Sequence, residues 1–160
     1  MKRLLHTSLI LLTLFVASCA PEIVEEPFEP SASHQDYREA LERLDLDETA
    51  LGADWISAAE RALGEPVIVQ TPFSETVFLD PQDPSALGYE FAVERGRAIV
   101  ITIASEAERT FADLFRVEDP DDADSRATVL VGSRPEGGTE IRFEPRRDGW
   151  YLLRIQPELL

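Results

Sequence analysis

Apolar side chains recur at the spacing of an amphipathic helix in residues 35–65, with a break at 45–52. Ser33 followed by Asp36 is typical of a helix N-terminus, and Pro66 prevents the second helix from continuing. The sequence therefore predicts two short helices. Their apolar faces are formed by Tyr37, Leu41 and Leu44, and then by Trp55, Ile56, Ala59 and Leu63.

From residue 66 onward, apolar and polar residues alternate with a period of two, which is typical of half-buried strands. The turn residues Arg95-Gly96 predict a hairpin between the runs on either side, and Asp148-Gly149 predict a second. The pattern predicts a mainly β fold, an antiparallel β-sandwich of about seven or eight strands preceded by two short α-helices. The predicted strands lie at 67–69, 76–79, 89–93, 99–103, 111–117, 128–131, 140–143 and 150–155.

The N-terminus has the features of a secretion signal. Lys2 and Arg3 are followed by a short apolar run and then by Val16-Ala17-Ser18-Cys19. That tetrapeptide resembles the lipobox of bacterial lipoproteins, which implies cleavage before Cys19 and acylation of its thiol. Ala20, rather than Asp, resembles the default pattern that directs lipoproteins to the outer membrane. The alternative is an ordinary signal peptide that is cut near Ala17 or Ala20.

These features predict four regions. Residues 1–18 are a lipoprotein signal peptide, and 19–34 are the lipidated cysteine and an acidic, proline-rich tether that is expected to be disordered. Residues 35–65 are the helical segment, and 66–160 are the β-sandwich domain. We expect a protein of the bacterial cell envelope, anchored by lipid and facing the periplasm.

The net negative charge of the chain excludes some classes of binding partner. The 160 residues include 15 Lys+Arg and 31 Asp+Glu, for a formal charge of −16. Removal of residues 1–18 takes away Lys2 and Arg3, their only charged side chains, and moves the charge from −16 to −18. Such a chain lacks the clustered cations that nucleic acid binding needs, and it repels anionic lipid head groups. Its membrane contact is expected to be the lipid anchor alone.

Few residues suggest catalysis or metal binding. One Cys and two His exclude nearly all zinc sites, and His34 is expected to be a poor general base because it falls in the tether. The carboxylates of the acidic cluster Asp119–Asp124 are typical calcium ligands. An EF-hand loop starting there would need Gly instead of Asp124 and Glu instead of Leu130. We expect a solvated loop there, and we expect Trp55 to be a core anchor. The sequence predicts no catalytic residue, no metal site and no cofactor.

Five segments between Trp55 and Leu160 form a pattern that is found in a known family. They are Trp55-x3-Ala59-x2-Ala62-Leu63-x2-Pro66, Thr71–Glu75, Phe91-x4-Gly96, Phe111–Phe115 and Asp148–Leu160. Together they resemble the non-catalytic N-terminal region of bacterial zinc endopeptidases of the lysostaphin/LytM type, which cleave peptidoglycan. The closing stretch also resembles the last strands of bacterial pre-peptidase domains, which are small β-sandwiches.

The resemblance implies an accessory role. In that family the zinc ligands belong to a catalytic domain further along the chain, and no residue here matches them. We therefore expect a non-catalytic lipoprotein module that works with a peptidase domain at the peptidoglycan, on a chain that is itself partial. One alternative is a free-standing binding module for glycan or an envelope protein. Another is an enzyme that uses two carboxyl groups.

Overall fold

The computed structural model describes residues 33–80, 82–118, 127–135 and 137–159. Two helices precede a mainly β domain, as the sequence predicts. The helices are α1 (His34–Arg43) and α2 (Ala50–Gly64). The strands are β1 (Val67–Ile68), β2 (Leu87–Val93), β3 (Ile99–Thr102), β4 (Thr110–Val117), β5 (Thr128–Ser133), β6 (Glu140–Phe143) and β7 (Gly149–Pro157).

Side-chain caps set the start of both helices. Ser33 Oγ accepts a hydrogen bond from the Asp36 amide at 3.1 Å, which confirms the predicted cap. Thr49 Oγ1 accepts from the Gly52 amide at 3.1 Å, so α2 begins at Ala50, inside the break predicted at 45–52. Gly52 lies in the first turn of α2, where an added Cβ would fall 2.0 Å from the Leu46 carbonyl oxygen. The glycine there permits close approach of the loop.

The strands form two sheets. The larger has the order β1-β2-β7-β4-β5, and the smaller pairs β3 with β6. The predicted sandwich-like fold is confirmed, with one difference: β1 runs parallel to β2, so the large sheet is mixed. All other pairs are antiparallel.

The large sheet lies between two layers. Its inner face packs against the small sheet, and the apolar core between them includes Tyr89, Leu114, Ile141, Tyr151 and Leu153. Its outer face packs against the helices, where a second cluster joins Tyr37, Leu41, Trp55 and Phe111. Trp55 is 1% exposed, which confirms the prediction of a core anchor between helix and sheet.

Both predicted hairpins are wrong. The turn at Gly96 forms, with a φ of 75°, but it carries the chain from β2 in the large sheet to β3 in the small one. The turn at Asp148 likewise connects β6 to β7 across the two sheets. The two corners bind each other, since the Gly96 amide donates to the Pro145 carbonyl at 2.9 Å and the Arg95 amide donates to Asp148 Oδ1 at 2.6 Å. Alternation predicts that a strand has a buried face, but not which strand it pairs with.

The predicted strand at 76–79 is also wrong. That segment has no strand partner, and Phe78 is 86% exposed. Nearby, Phe73 packs on the Tyr89 ring at 5.5 Å, and the Tyr89 hydroxyl donates to Glu75 Oε1. Side-chain contacts of Phe73 and Glu75, rather than a hydrogen-bonded ladder, hold the chain just before 76–79 against β2. Within the described ranges, no helix has the length and apolar character needed to cross a membrane.

Candidate functional site

His34 is placed differently from the prediction. It is the first residue of α1, not part of a solvated tether, and it is 4% exposed. Its ring stacks on Trp55 with a centroid distance of 4.6 Å, and it meets Phe111 edge-on at 5.6 Å. Burial, and secondly the cation of Arg154, lower the pKa of His34 from 6.5 to about 4. The imidazole is therefore neutral at pH 7.

Gln156 fixes the hydrogen bonding of that imidazole. Its Nε2 donates to the Trp55 carbonyl at 2.8 Å, which turns its Oε1 toward His34 Nε2 at 2.7 Å. Because an amide oxygen only accepts, Nε2 of His34 carries the proton and donates. The buried Gln156 thus joins both helices to strand β7.

The last described residues are held by the same helices and by the loop before β4. Trp55 Nε1 donates to the Pro157 carbonyl at 2.8 Å. The Tyr37 hydroxyl donates to the Leu159 carbonyl at 3.2 Å and accepts from the Leu159 amide at 3.1 Å. The Glu158 amide donates to the Arg109 carbonyl at 3.2 Å. The start of α1 and the end of β7 therefore form one rigid corner of the domain.

A buried ion pair lies on the same sheet face. Arg154 Nη2 donates to Asp113 Oδ2 at 2.5 Å, and the two side chains are 12% and 7% exposed. Ser133 Oγ donates to the other carboxylate oxygen of Asp113 at 2.7 Å. Because Asp113 lies opposite both residues in the neighbouring strands, this network connects β5, β4 and β7. Arg154 Nε is buried without a hydrogen-bond partner among the described residues.

An open cleft of about 890 Å³ lies beside this network. Its floor includes His34, Phe111 and Asp113. One wall is the loop that leads into β4, and the other is the connection from β5 to β6. We call it the β4–β5 cleft. Its size is within the range of pockets that hold small molecules or short polymer segments. The polar wall residues are Ser105, Glu108, Arg109, Thr110, Ser133, Arg134, Thr139 and Glu158.

Two arginines place guanidinium groups at the walls of the cleft. The Arg134 guanidinium donates to the Thr110 carbonyl, and the Arg134 amide donates to the Ala112 carbonyl at 2.8 Å. Burial lowers the pKa of Arg134, but an arginine remains a cation at pH 7. Arg109 is half-buried on the opposite wall. Guanidinium groups bind carboxylates and other oxygen acceptors with directed hydrogen bonds.

Hydroxyl and carboxyl groups complete the walls. Thr110 Oγ1 donates to Ser105 Oγ at 2.8 Å. Burial raises the pKa of Glu158, and the carboxylate of Glu108 raises it further, while Arg109 opposes both effects. The cleft therefore offers both donors and acceptors, as a ligand with hydroxyl, amide and carboxylate groups requires.

The other residues considered from the sequence lie elsewhere. Cys19 and the acidic cluster Asp119–Asp124 fall outside the described residues. Among the residues that the structure describes, no group of three or more His, Cys, Asp or Glu side chains could hold a metal ion. Sequence reasoning missed the Asp113–Arg154 pair and the cleft. The available signal was a charged residue inside each of two apolar strands, Phe111–Phe115 and Trp150–Ile155.

The comparisons with known proteins found no match. No family model matches the chain, and no curated protein or solved structure does so.

Proposed function

We propose that this chain is a lipoprotein of the bacterial cell envelope, anchored through Cys19 at the outer membrane and facing the periplasm. Its folded domain is a non-catalytic module that binds peptidoglycan beside a zinc endopeptidase of the lysostaphin/LytM type. The lipobox at 16–19 supports the location, and the similarity of residues 55–160 to the N-terminal region of such enzymes supports the partner. The alternative is a free-standing module that binds glycan or an envelope protein, and its glycan-binding form would bind the wall as well.

The observation that carries the proposal is the pair of arginines facing one open cleft in a chain of formal charge −16. Peptidoglycan presents sugar hydroxyls, amides and peptide carboxylates. The guanidinium groups of Arg109 and Arg134 can donate hydrogen bonds to the carboxylates. The hydroxyl groups of Ser105 and Thr110 can pair with the sugar hydroxyls and the amides. The rigid floor formed by His34 and Asp113 reduces the ordering cost of binding.

Cosedimentation with purified sacculi tests this function. The wild-type chain should be retained, and Arg109→Ala should weaken retention about tenfold, the effect of one lost charge-assisted hydrogen bond. Arg146→Ala is the matched control, because Arg146 is an exposed arginine outside the cleft and its loss should leave retention unchanged. No retention of the wild type, or equal loss in both variants, would reject a role for the cleft in wall binding.

A second candidate function, hydrolysis of the wall polymer by two carboxyl groups, is favoured by one observation. Glu158 faces the cleft with a raised pKa, and Glu108 is near enough to contribute to that rise. Glycoside hydrolysis uses two carboxyl groups that flank the bond to be cut. Release of soluble fragments from sacculi by the wild type, and its loss in Glu158→Gln, would establish this reaction in place of simple binding.

A further inference from the structure

The edge of the large sheet carries a run of exposed apolar side chains that the cleft does not use. Two of them meet at Tyr89, because Val67 lies opposite Tyr89 in the parallel pairing and the Phe73 ring packs on the Tyr89 ring. Ile68 lies next to Val67 in β1, and Val77 and Phe78 belong to the segment that follows Phe73. We call this surface the edge strip. It consists of Val67, Ile68, Phe73, Val77 and Phe78, which are 60%, 69%, 47%, 43% and 86% exposed. Large exposed apolar patches are uncommon in monomeric proteins, and they usually mark a site of interaction.

The backbone of β1 offers hydrogen bonds on the same side. The Val69 amide donates to the Glu90 carbonyl at 2.8 Å, continuing the parallel pairing toward β2. Bonding direction alternates along a parallel strand, so the N–H and C=O of Ile68 point away from β2. β1 is the outermost strand in the order of the large sheet. An incoming extended segment could therefore pair with this edge while its side chains cover the apolar ones.

The negative charge around the edge strip indicates which kind of partner binds there. Residues 65–80 contain Glu65, Glu75 and Asp80 and no lysine or arginine. A second copy of this chain, with a formal charge of −16, would bring like charges together at this edge. A surface of anionic lipid would be repelled in the same way. A segment of another protein that alternates basic with apolar residues would pair its cations with these carboxylates and cover the exposed apolar side chains.

We infer that the β1 edge strip is a docking site for an extended, basic and apolar segment of a partner protein, which adds to the large sheet as a strand beside β1. The strip is separated from the β4–β5 cleft by β2 and β7. The inference is therefore independent of the proposed wall binding, and either can fail alone.

A designed peptide tests the inference. The probe is a fluorescent ten-residue peptide that alternates valine and lysine, titrated against the full chain carrying Cys19→Ser and read by anisotropy. The wild-type edge should bind it with a saturable isotherm, and a peptide with glutamate in place of lysine should bind at least about tenfold more weakly.

Two edge variants and one control identify the binding surface. Ile68→Pro removes the outward N–H and should weaken binding about tenfold or more, because proline blocks an edge strand. Phe78→Ser should weaken binding severalfold, and its 86% exposure makes it a safe change should the proline variant fail to fold. Leu51→Ser is the matched control, since Leu51 is 51% exposed on α2, away from the edge, and should bind like the wild type.

Four results would overturn the inference. They are no binding of the lysine peptide, unchanged binding in both edge variants, concentration-dependent dimers of the wild type that the edge variants abolish, and binding of the strip to phosphatidylglycerol vesicles in preference to the peptide. The third would assign the edge to a second copy, and the fourth would assign it to lipid.

Discussion

His34 Nε2 donates a hydrogen bond of 2.7 Å to Gln156 Oε1, across 122 residues of sequence. The bond joins the first residue of α1 to the end of β7, the middle strand of the large sheet, and Trp55 covers it by stacking on the imidazole at 4.6 Å. This contact holds the helical layer on the sheet, and His34 also lines the cleft. A residue predicted to be solvated is thus one of the most buried polar groups described.

The buried imidazole makes stability depend on pH. The pKa of His34 is about 4 in the folded chain and 6.5 when unfolded, so the unfolded state binds the proton more readily. Its stabilising contribution is complete above pH 6.5 and is lost as the pH falls toward 4. Between pH 7 and pH 5 the loss should be about 2 kcal/mol. Urea unfolding of the wild type and of His34→Gln at both pH values measures it, and equal pH dependence in the two proteins would contradict it.

The Asp113–Arg154 pair should respond unequally to single and double substitution. Asp113→Ala leaves the Arg154 guanidinium buried without its carboxylate, which should cost about 3 kcal/mol of unfolding free energy. Asp113→Leu combined with Arg154→Met removes both charges and should recover most of that loss. Chemical denaturation of both variants tests the pair. A double variant that is no more stable than Asp113→Ala would show that the two charges are not coupled.

The close contact between α2 and β2 requires a glycine at position 88. A Cβ at Gly88 would lie 1.8 Å from the carbonyl oxygen of Ala62, and that oxygen belongs to the helix backbone and cannot turn aside. Gly88→Ala should therefore destabilise the protein by about 2 kcal/mol or more. Gly64→Ala is the control, because nothing lies within 4 Å of its added Cβ. It should leave the melting temperature unchanged or raise it slightly, whereas equal melting of both variants would refute the close contact.

Cys19 should determine membrane association. Acylation buries hydrocarbon at about 0.8 kcal/mol per CH₂, and the acidic domain adds no attraction to anionic lipid. The wild type expressed in a bacterium should partition into detergent and carry a lipid mass on Cys19. Cys19→Ser should partition into the aqueous phase. A wild type cleaved near Ala17 or Ala20 and recovered without lipid would instead identify an ordinary secreted protein.

Periodicity predicted most of the elements but not their partners. The change of period at Pro66 separates the helices from the strands because each element buries one face, and that requirement is visible in the sequence. Strand pairing is a relation between distant segments, and β2 has the same alternation whether it pairs with β3 or with β7. The corners at Gly96 and Asp148 resemble hairpin turns for the same reason.

The cleft was harder to predict than the fold. Arg109 and Arg134 are ordinary surface residues in the sequence, and only the packing of the β5–β6 connection against the loop before β4 brings them to one cleft. His34 follows a proline- and glutamate-rich segment, which predicts solvation. Its burial depends on Gln156 and Trp55, more than twenty residues away along the chain in each case. Composition carries no information about such contacts.

Hydrogen–deuterium exchange with soluble peptidoglycan fragments tests the central claim most directly. The chain should gain protection at residues 105–110, 133–135 and 137–139, which form the two walls of the β4–β5 cleft, and Arg109→Ala should lose that gain. Strand β1 should exchange as in the free protein. Unchanged exchange in the cleft at saturating fragment concentration, or protection confined to another surface, would contradict a wall-binding cleft.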